Sequence, residues 1–551
     1  MVTRGLLVVS VAAAAAAVAV AASVMYGQRN PHTEIFATSD QCLACHNGLR
    51  TPAGEDVSIG ASWRASMMAN SSRDPYWQAG VRREVVDHPA AAEAIQDECA
   101  KCHMPMSRTE AHLNGDEGAV FTHLPVTGKG GRSDLLAHDG VACSICHQIT
   151  DQNLGTPASF TGGYVVAGAS GATSATGAPG AARPMFGPFT IERGMTTIMR
   201  SATGFEPTEA QHVRQSELCA TCHTLVTKAL GSKGEVIGEL PEQVPFLEWK
   251  HSAYAEEQRS CQSCHMPVVE EDTPIASVLG APRKGFARHT FVGGNFFMQR
   301  MLNRYRKELG VLATAAEMDA GIGSTVANLQ KSTAELSIVS AERVGTSLIA
   351  DVQVRNLTGH KLPTGYPSRR VWLHVTVRDR AGRVIFESGA ITPNGSITGN
   401  DNDADALAVE PHHSEIRAPD QVQIYESVMG DSSGRPTTGL LSAVRYLKDN
   451  RLVPRGFDRS TAGPQIAVVG AAARDSDFGD GSDRVRYAIE VGQAAGPFHI
   501  DAELRFQVIA YRWAENLEPY KSEETTRFVG YYESMSSSSS EVLVSGRQTV
   551  N

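Results

Sequence analysis

The sequence predicts a multidomain protein: a mostly irregular and α-helical N-terminal domain, residues 30–332, followed by an all-β domain, residues 333–551. Three observations lead to this prediction. A chain of 551 residues is too long for one ordinary hydrophobic core. All ten cysteines lie between Cys42 and Cys264. From Ala334 onward, apolar and polar residues alternate as they do in half-buried strands. We expect the β domain to be an immunoglobulin-like sandwich.

Residues 1–25 precede both domains and have the composition of an export signal. Arg4 gives a short positive region, and Leu6 to Ala22 contains no charged residue. Ala19-Val20-Ala21 fits the small-residue cleavage rule, so a cleaved signal peptide is favoured over an uncleaved membrane anchor. We therefore expect a periplasmic or cell-surface protein. A net charge of −10 argues against a nucleic-acid binder, which usually carries a basic face.

The cysteines form a single repeated pattern in the N-terminal domain. Every one belongs to a Cys-x-x-Cys pair that is followed at once by histidine, in the stretches CLACH, CAKCH, CSICH, CATCH and CQSCH. Structural disulfides would not explain the histidines, and zinc knuckles would have to pair off, which five cannot do. Cys-x-x-Cys-His is the attachment signature of c-type haem. The sequence thus predicts five covalent haems on Cys42, Cys45, Cys99, Cys102, Cys143, Cys146, Cys219, Cys222, Cys261 and Cys264.

The histidine of each motif is expected to bind the iron from one side, which leaves a sixth position to fill. These five proximal ligands are His46, His103, His147, His223 and His265. The chain has 18 histidines, so enough remain to give every iron a second histidine. Met67 and Met68 are rivals for the first haem, although ordinary packing explains them better. His138, five residues before Cys143, is a reserve candidate because it cannot easily reach the far face of its own haem.

The motifs and their surroundings resemble a known superfamily. Residues 36–300 are similar to the multihaem cytochromes c that include pentahaem nitrite reductase, hydroxylamine oxidoreductase and the nitrifier tetrahaem cytochrome. The similarity is carried by DECAKCHMPM, DGVACSICHQI, SELCATCHTL, RSCQSCHMP and RHTFVGGN. In such proteins the second histidine comes from a segment remote from its own haem. The resemblance implies second axial ligands at His289, His251, His212, His123 and His88.

The same resemblance frames three functional alternatives. All five motifs end in histidine, whereas the nitrite reductases commonly replace one with Cys-x-x-Cys-Lys, so electron transfer between redox partners is favoured. The partners expected are other cytochromes and membrane quinol-oxidising complexes. An oxidoreductase acting on a small nitrogen or sulfur compound at one open haem is the second alternative. A subunit of an extracellular cytochrome filament is the third.

The remaining segments give weaker signals. TGGYVVAGASGATSATGAPGAARPMFGPF, residues 161–189, predicts a long loop. Spacings of three and four predict a helix within residues 293–311, and a second is expected over 313–331. Two acidic clusters, residues 399–406 and 475–483, have oxygen-rich spacing that would suit Ca²⁺, although turn composition explains them better. The ending after Ser534 is expected to be a flexible tail or a frayed helix end.

The β domain is predicted from four alternating stretches and one loop. Strands are expected in residues 334–359, 369–391, 484–491 and 500–513, with a hairpin turn at Arg378 to Arg383. The loop NLTGHKLPTGYPSRR, residues 356–370, interrupts strand-like flanks with prolines and glycines. We expect it either to pack on the haem domain or to be a structural turn. Its His360 is a further candidate axial ligand, ranked behind the five named above.

Overall fold

The structure is a computed structural model that describes residues 34–168 and 182–551. The expected signal segment, residues 1–25, and the middle of the expected loop, residues 169–181, lie outside the described residues. Within the described residues, no helix combines the length and apolarity needed to cross a membrane.

The N-terminal half consists mainly of short helices. Each Cys-x-x-Cys-His motif begins within one of them, because two cysteines three residues apart then project from one face of one turn. The helices are α1 (Ser39–Leu43), α2 (Ile59–Arg64), α3 (Pro75–Asp87), α4 (Ala92–His103), α5 (Pro105–Leu113), α6 (Arg132–His138), α7 (Cys143–Cys146), α8 (Arg193–Thr203), α9 (Ser216–Ala220), α10 (Pro245–Lys250), α11 (Ala253–Glu256) and α12 (Cys261–His265).

Small two-stranded ladders connect these helices. The ladders are the parallel pair β1 (Arg183–Gly187) and β2 (Phe205–Glu209), the hairpin β3 (Leu225–Leu230) and β4 (Val236–Gln243), and the short pair β5 (Thr273–Pro274) and β6 (Pro282–Arg283). Strand β1 falls inside the segment expected to be a loop, so that expectation is wrong for its last part. The loop is predicted from a composition rich in small residues, and composition does not show that a segment will pair with a strand distant in sequence.

Two helices join the halves, as the spacing of apolar residues predicts. Helix α13 covers Phe296–Arg304 and buries Phe296, Phe297, Met301 and Leu302. Helix α14 covers Ala315–Ser332. It begins with a capping box in which Thr314 and Glu317 satisfy each other's backbone N–H groups. Both helix predictions are confirmed.

The C-terminal half contains two sheets. The strands are β7 (Ala334–Val344), β8 (Ser347–Asn356), β9 (Arg370–Arg378), β10 (Val384–Ser388), β11 (Glu415–Ile416), β12 (Ile424–Asp431), β13 (Pro436–Thr437), β14 (Ala443–Asp449), β15 (Ser482–Glu490), β16 (Phe498–Gln507) and β17 (Ser540–Val550). One sheet has the order β13-β12-β9-β16-β17, with β10 on β9 and β14 on β12. The other has the order β11-β15-β8-β7. The immunoglobulin-like arrangement stays a prediction.

Each alternating stretch contains a strand, and the hairpin turn joins β9 to β10. The expectation is wrong for the end of the last stretch, because β16 ends at Gln507 and Tyr511 begins a helix. Helices α15 (Asp401–Ala404), α16 (Tyr511–Glu515) and α17 (Glu523–Glu533) accompany the sheets. The expectation of a flexible tail is wrong. Strand β17 pairs along its whole length with β16, because its backbone completes the ladder that β16 leaves open on that side.

The two halves are bound together by charged side chains as well as by apolar contact. Arg82 on α3 makes two hydrogen bonds of 2.9 Å to the carboxylate of Glu524 on α17. Glu84, two residues further along α3, is buried and accepts the backbone N–H groups of Leu440 and Leu441. Helix α3 is therefore fixed to the β half by two charged side chains.

Candidate haem-binding sites

The proximal histidines share one hydrogen-bonding arrangement. Nδ1 lies close to a backbone carbonyl oxygen in four of the five, and a carbonyl oxygen can only accept. The pairs are His46 with Ile275 at 2.6 Å, His103 with Ser71 at 3.0 Å, His147 with Phe186 at 2.6 Å and His265 with Val292 at 2.5 Å. Nδ1 therefore carries the hydrogen, and Nε2 is left with a free lone pair. Ligands of metal ions in proteins are commonly oriented in this way.

His223 is the exposed member of the five proximal histidines. The surrounding protein nevertheless desolvates the ring and lowers its pKa to about 4, with further contributions from His265 and from Arg369 of the β half. The exposed imidazole is accessible to a ligand.

The cysteines are available for attachment. All ten are free thiols. Free thiols on one helical turn, with a free Nε2 of the following histidine beside them, fit a covalently bound haem.

Two of the proximal histidines face a second histidine. The ring centroids of His147 and His289 are 6.3 Å apart with the planes inclined by 25°. Those of His265 and His360 are also 6.3 Å apart, inclined by 13°. A metal–imidazole bond is about 2 Å long, so two rings on opposite sides of one metal have centroids about 6 Å apart. Both pairs have the spacing of a bis-histidine site.

The other predicted second ligands have different partners. His212 and His251 place Nε2 on the carbonyl oxygens of Ile149, at 2.8 Å, and Asp458, at 2.9 Å. His123 contacts Asp134 through Nδ1 and Ser107 through Nε2. His88 is buried beside Glu84 and Ser442. These four assignments stay predictions.

His138 and the methionines also have structural roles. The Nε2 of buried His138 lies 2.7 Å from the carbonyl oxygen of His123, and its buried Nδ1 has no hydrogen-bond partner. Met67 is half-buried against apolar clusters. The carbonyl oxygen of Met68 accepts the N–H of Val141. Packing accounts for this part of the chain.

Two contacts around the motifs were not predicted from the sequence. Trp77 on α3 stacks on His103, with ring centroids 4.4 Å apart and planes inclined by 5°. Asp139 accepts both the backbone N–H and the hydroxyl of Ser39 at 2.7 Å, which ties the start of the first motif helix to the end of α6. Aspartate before a glycine and tryptophan in a helix are too common for either contact to be read from sequence.

Comparison with known proteins gives a match at the level of structure. No protein-family model and no curated protein sequence matches the chain. A crystal structure of a penta-haem cytochrome c552 from Thermochromatium tepidum superimposes with a TM-score of 0.52 at 16% sequence identity. The match covers 93% of this chain and 98% of that one. The chain has the fold of a penta-haem cytochrome.

Within this penta-haem cytochrome fold, thiols from different motifs come close to one another. Interacting pairs join the first motif to the third, the second to the fourth and the fourth to the fifth: Cys42 with Cys143, Cys102 with Cys222, and Cys219 with Cys261. Cys146 of the third motif lies near Cys222 of the fourth. All five motifs are therefore linked: the fourth lies near the second, the third and the fifth, and the first joins them through the third.

The two acidic clusters of this chain, residues 399–406 and 475–483, take part in hydrogen bonds. Asp403, in the first cluster, is buried and receives two hydrogen bonds of 2.9 Å from Arg370. In the second, ligand atoms of His412, Asp475 and Asp483 lie within 4.8 Å of one another. The Nδ1 of His412 accepts hydrogen bonds from two amide groups, so Nε2 carries the hydrogen and donates to Asp475. Calcium binding stays a prediction that neither arrangement supports.

Proposed function

We propose that the chain is an exported pentahaem c-type cytochrome that carries electrons between redox partners outside the cytoplasm. The observation that carries this proposal is the pairing of His147 with His289 at the spacing of a bis-histidine site. A haem with two strong axial ligands supplies one-electron chemistry without a vacant position for substrate. The His147 ring is held by Phe186 and the His289 ring by Ala287, each through Nδ1, so both rings are oriented before any metal binds.

The linkage of the motifs supports a relay. The thiols of neighbouring motifs interact, which brings the attached groups close enough for electrons to pass between them. The fifth motif lies nearest the surface, where Cys264 and Ser263 are exposed. We infer that electrons enter or leave near this motif. The expected partners are other cytochromes or membrane quinol-oxidising complexes.

A count of bound haem tests the proposal. The pyridine haemochrome assay on the purified protein should give five haems per chain, and electron paramagnetic resonance should be dominated by low-spin iron. A double variant, Cys261→Ala with Cys264→Ala, should give four haems. Ser263→Ala, an exposed change inside the same motif, should leave five. A wild-type count other than five would contradict the proposal.

A second function is favoured by the surroundings of His223. Among the ring contacts of the described residues, none pairs His223 with another histidine, its side chain is exposed, and Arg369 lies near enough to lower its pKa. An iron held there with one protein ligand could bind a small nitrogen or sulfur compound, and the protein would then be an oxidoreductase. Addition of cyanide or nitric oxide to the resting protein distinguishes the two functions. A spectral change at one haem favours the enzyme, and no change favours the electron carrier.

A further inference from the structure

We propose that His360, from the β half, is the second axial ligand of the iron held by the fifth motif, so that one metal joins the two halves of the molecule. This inference rests on the proposed function, because it assumes that a haem is attached at Cys261 and Cys264. It differs from the expectation based on the resemblance, which favours histidines of the N-terminal half.

The two rings are in position for one metal. His265 and His360 have ring centroids 6.3 Å apart and planes only 13° from parallel. The Nδ1 of His360 donates to the carbonyl oxygen of Lys361 at 2.9 Å, and that of His265 donates to Val292. Each ring therefore has Nε2 without a hydrogen. His251, which the resemblance favours, has its Nε2 on the carbonyl oxygen of Asp458 instead.

The loop that carries His360 is held rigidly from within the β half. The side-chain amide of Asn356 donates to the carbonyl oxygens of His360 at 2.8 Å and Leu452 at 2.9 Å. The Thr358 hydroxyl lies 2.8 Å from the side-chain oxygen of Asn356 and the same distance from the His360 carbonyl oxygen. A ligand fixed by such contacts loses little conformational entropy when it binds a metal.

The loop also approaches the haem half very closely. A Cβ atom at Gly359 would lie 3.3 Å from Trp249 on α10 and 3.3 Å from Tyr254 on α11, closer than most real Cβ contacts. The Tyr254 hydroxyl donates to the carbonyl oxygen of Leu357 at 2.6 Å. Glycine is the residue that lets the backbone beside His360 come this near to the helices that precede the fifth motif.

A buried network of charges fixes the loop to helix α10. Glu248 on α10 is fully buried and accepts from the backbone N–H of Lys361 at 3.1 Å and from the hydroxyl of Thr364 at 2.5 Å. Arg451 pairs with the same carboxylate at 3.0 Å, and Lys361 pairs with Asp449 at 2.8 Å. Because an unpaired buried charge is costly, separating the loop from α10 would be strongly unfavourable.

Replacing His360 in the full-length protein tests the assignment. His360→Ala should keep five haems but convert one from low-spin to high-spin, seen by electron paramagnetic resonance and by absorption. Added imidazole should restore the low-spin signal, because it can occupy the vacated position. His499→Ala, which removes an exposed histidine of strand β16, is the matched control and should change neither signal.

His360→Met gives an independent readout, because thioether ligation raises the potential of a haem. One of the five haems should titrate at a higher potential in this variant, and this measurement decides the question if His360→Ala fails to accumulate.

Three outcomes would overturn the inference: an unchanged number of low-spin haems in His360→Ala, a high-spin signal that imidazole does not remove, or unaltered potentials in His360→Met. None of these outcomes affects the proposed function, which is tested separately on the wild-type protein by the haem count and by the addition of cyanide or nitric oxide.

Discussion

The two halves of the molecule differ in what fills their interiors. In the C-terminal half, most buried apolar side chains belong to one large cluster that runs through both sheets, includes Val371 and Phe498, and extends to Phe296 on helix α13. A second, small cluster surrounds Trp372. The N-terminal half has several separate small clusters, such as those around Trp63 and Val81. A domain stabilises itself by burying apolar surface. The difference predicts that the β half is stabilised mainly by its own side chains, whereas the N-terminal half depends on the haems proposed to bind its motifs.

The largest effect should come from withholding haem. A full-length chain produced without haem attachment should be cleaved by a protease throughout the region of the motifs, residues 34–300, because that region would lack most of its interior. Residues 333–551 should survive as a resistant fragment, identified by mass spectrometry. Equal resistance of both halves to the protease would contradict the prediction that the N-terminal half alone depends on haem.

The next effect concerns the interior of the β half. Asp403→Ala leaves the buried guanidinium of Arg370 without its carboxylate, which should lower the free energy of unfolding by about 3–5 kcal/mol. Asp351→Ala removes the exposed pair with Arg486 and should cost at most about 1 kcal/mol. Chemical denaturation followed by tryptophan fluorescence measures both. Comparable losses of unfolding free energy in the two variants would show that burial does not raise the cost of removing Asp403.

A smaller effect is expected from one hydrogen-bonded contact in the haem half. Asp139→Asn replaces one acceptor oxygen by an NH₂ group facing Ser39, which should cost about 1–3 kcal/mol. The absorption or potential of the first haem should shift while five haems remain bound. Asp40→Asn is the control, because Asp40 is exposed on α1, the helix that also carries Ser39. It should change neither the stability nor the absorption or potential of the first haem. A loss of stability confined to the β half would contradict this prediction.

The smallest effect is a pH dependence within the β half. Burial tends to lower the pKa of His374, but its hydrogen bonds to Glu503 and Glu387 outweigh burial and raise it. The protonated pair therefore stabilises the fold fully below the ordinary value of 6.5, and this contribution is lost as pH rises through the raised pKa. His374→Ala should flatten the fall in melting temperature above that pH. The change should stay below about 1 kcal/mol, because Glu387 is exposed and Glu503 is partly exposed to solvent.

Haem spectra should be the same in His374→Ala and in the wild type across this pH range, since the site lies on the β sheet. A variant whose melting temperature falls with pH as steeply as the wild type's would contradict the assignment of this pH dependence to His374.

The parts of the molecule that depend on local sequence could be predicted. The five motifs, helices α13 and α14 and the β9–β10 hairpin follow from spacing and turn composition. Strand β17 was missed because the serines that precede it hide the alternation that follows. The sequence ranks His360 behind five other histidines as an axial ligand. The position of its ring opposite His265 depends on contacts far away in sequence, such as those of Glu248 with the loop.

The linkage of the thiols has a consequence for how the molecule is made. Chain order and spatial order differ, because the first motif lies beside the third and the second beside the fourth. In a chain that emerges N-terminus first from a ribosome or an export channel, Cys102 appears long before its neighbour Cys222. Until the later motifs have emerged, the surfaces of the early motifs that will contact them therefore stay exposed to solvent. Partly assembled chains of this kind are prone to aggregate, so the demand on chaperones should be greatest before the fourth motif has emerged.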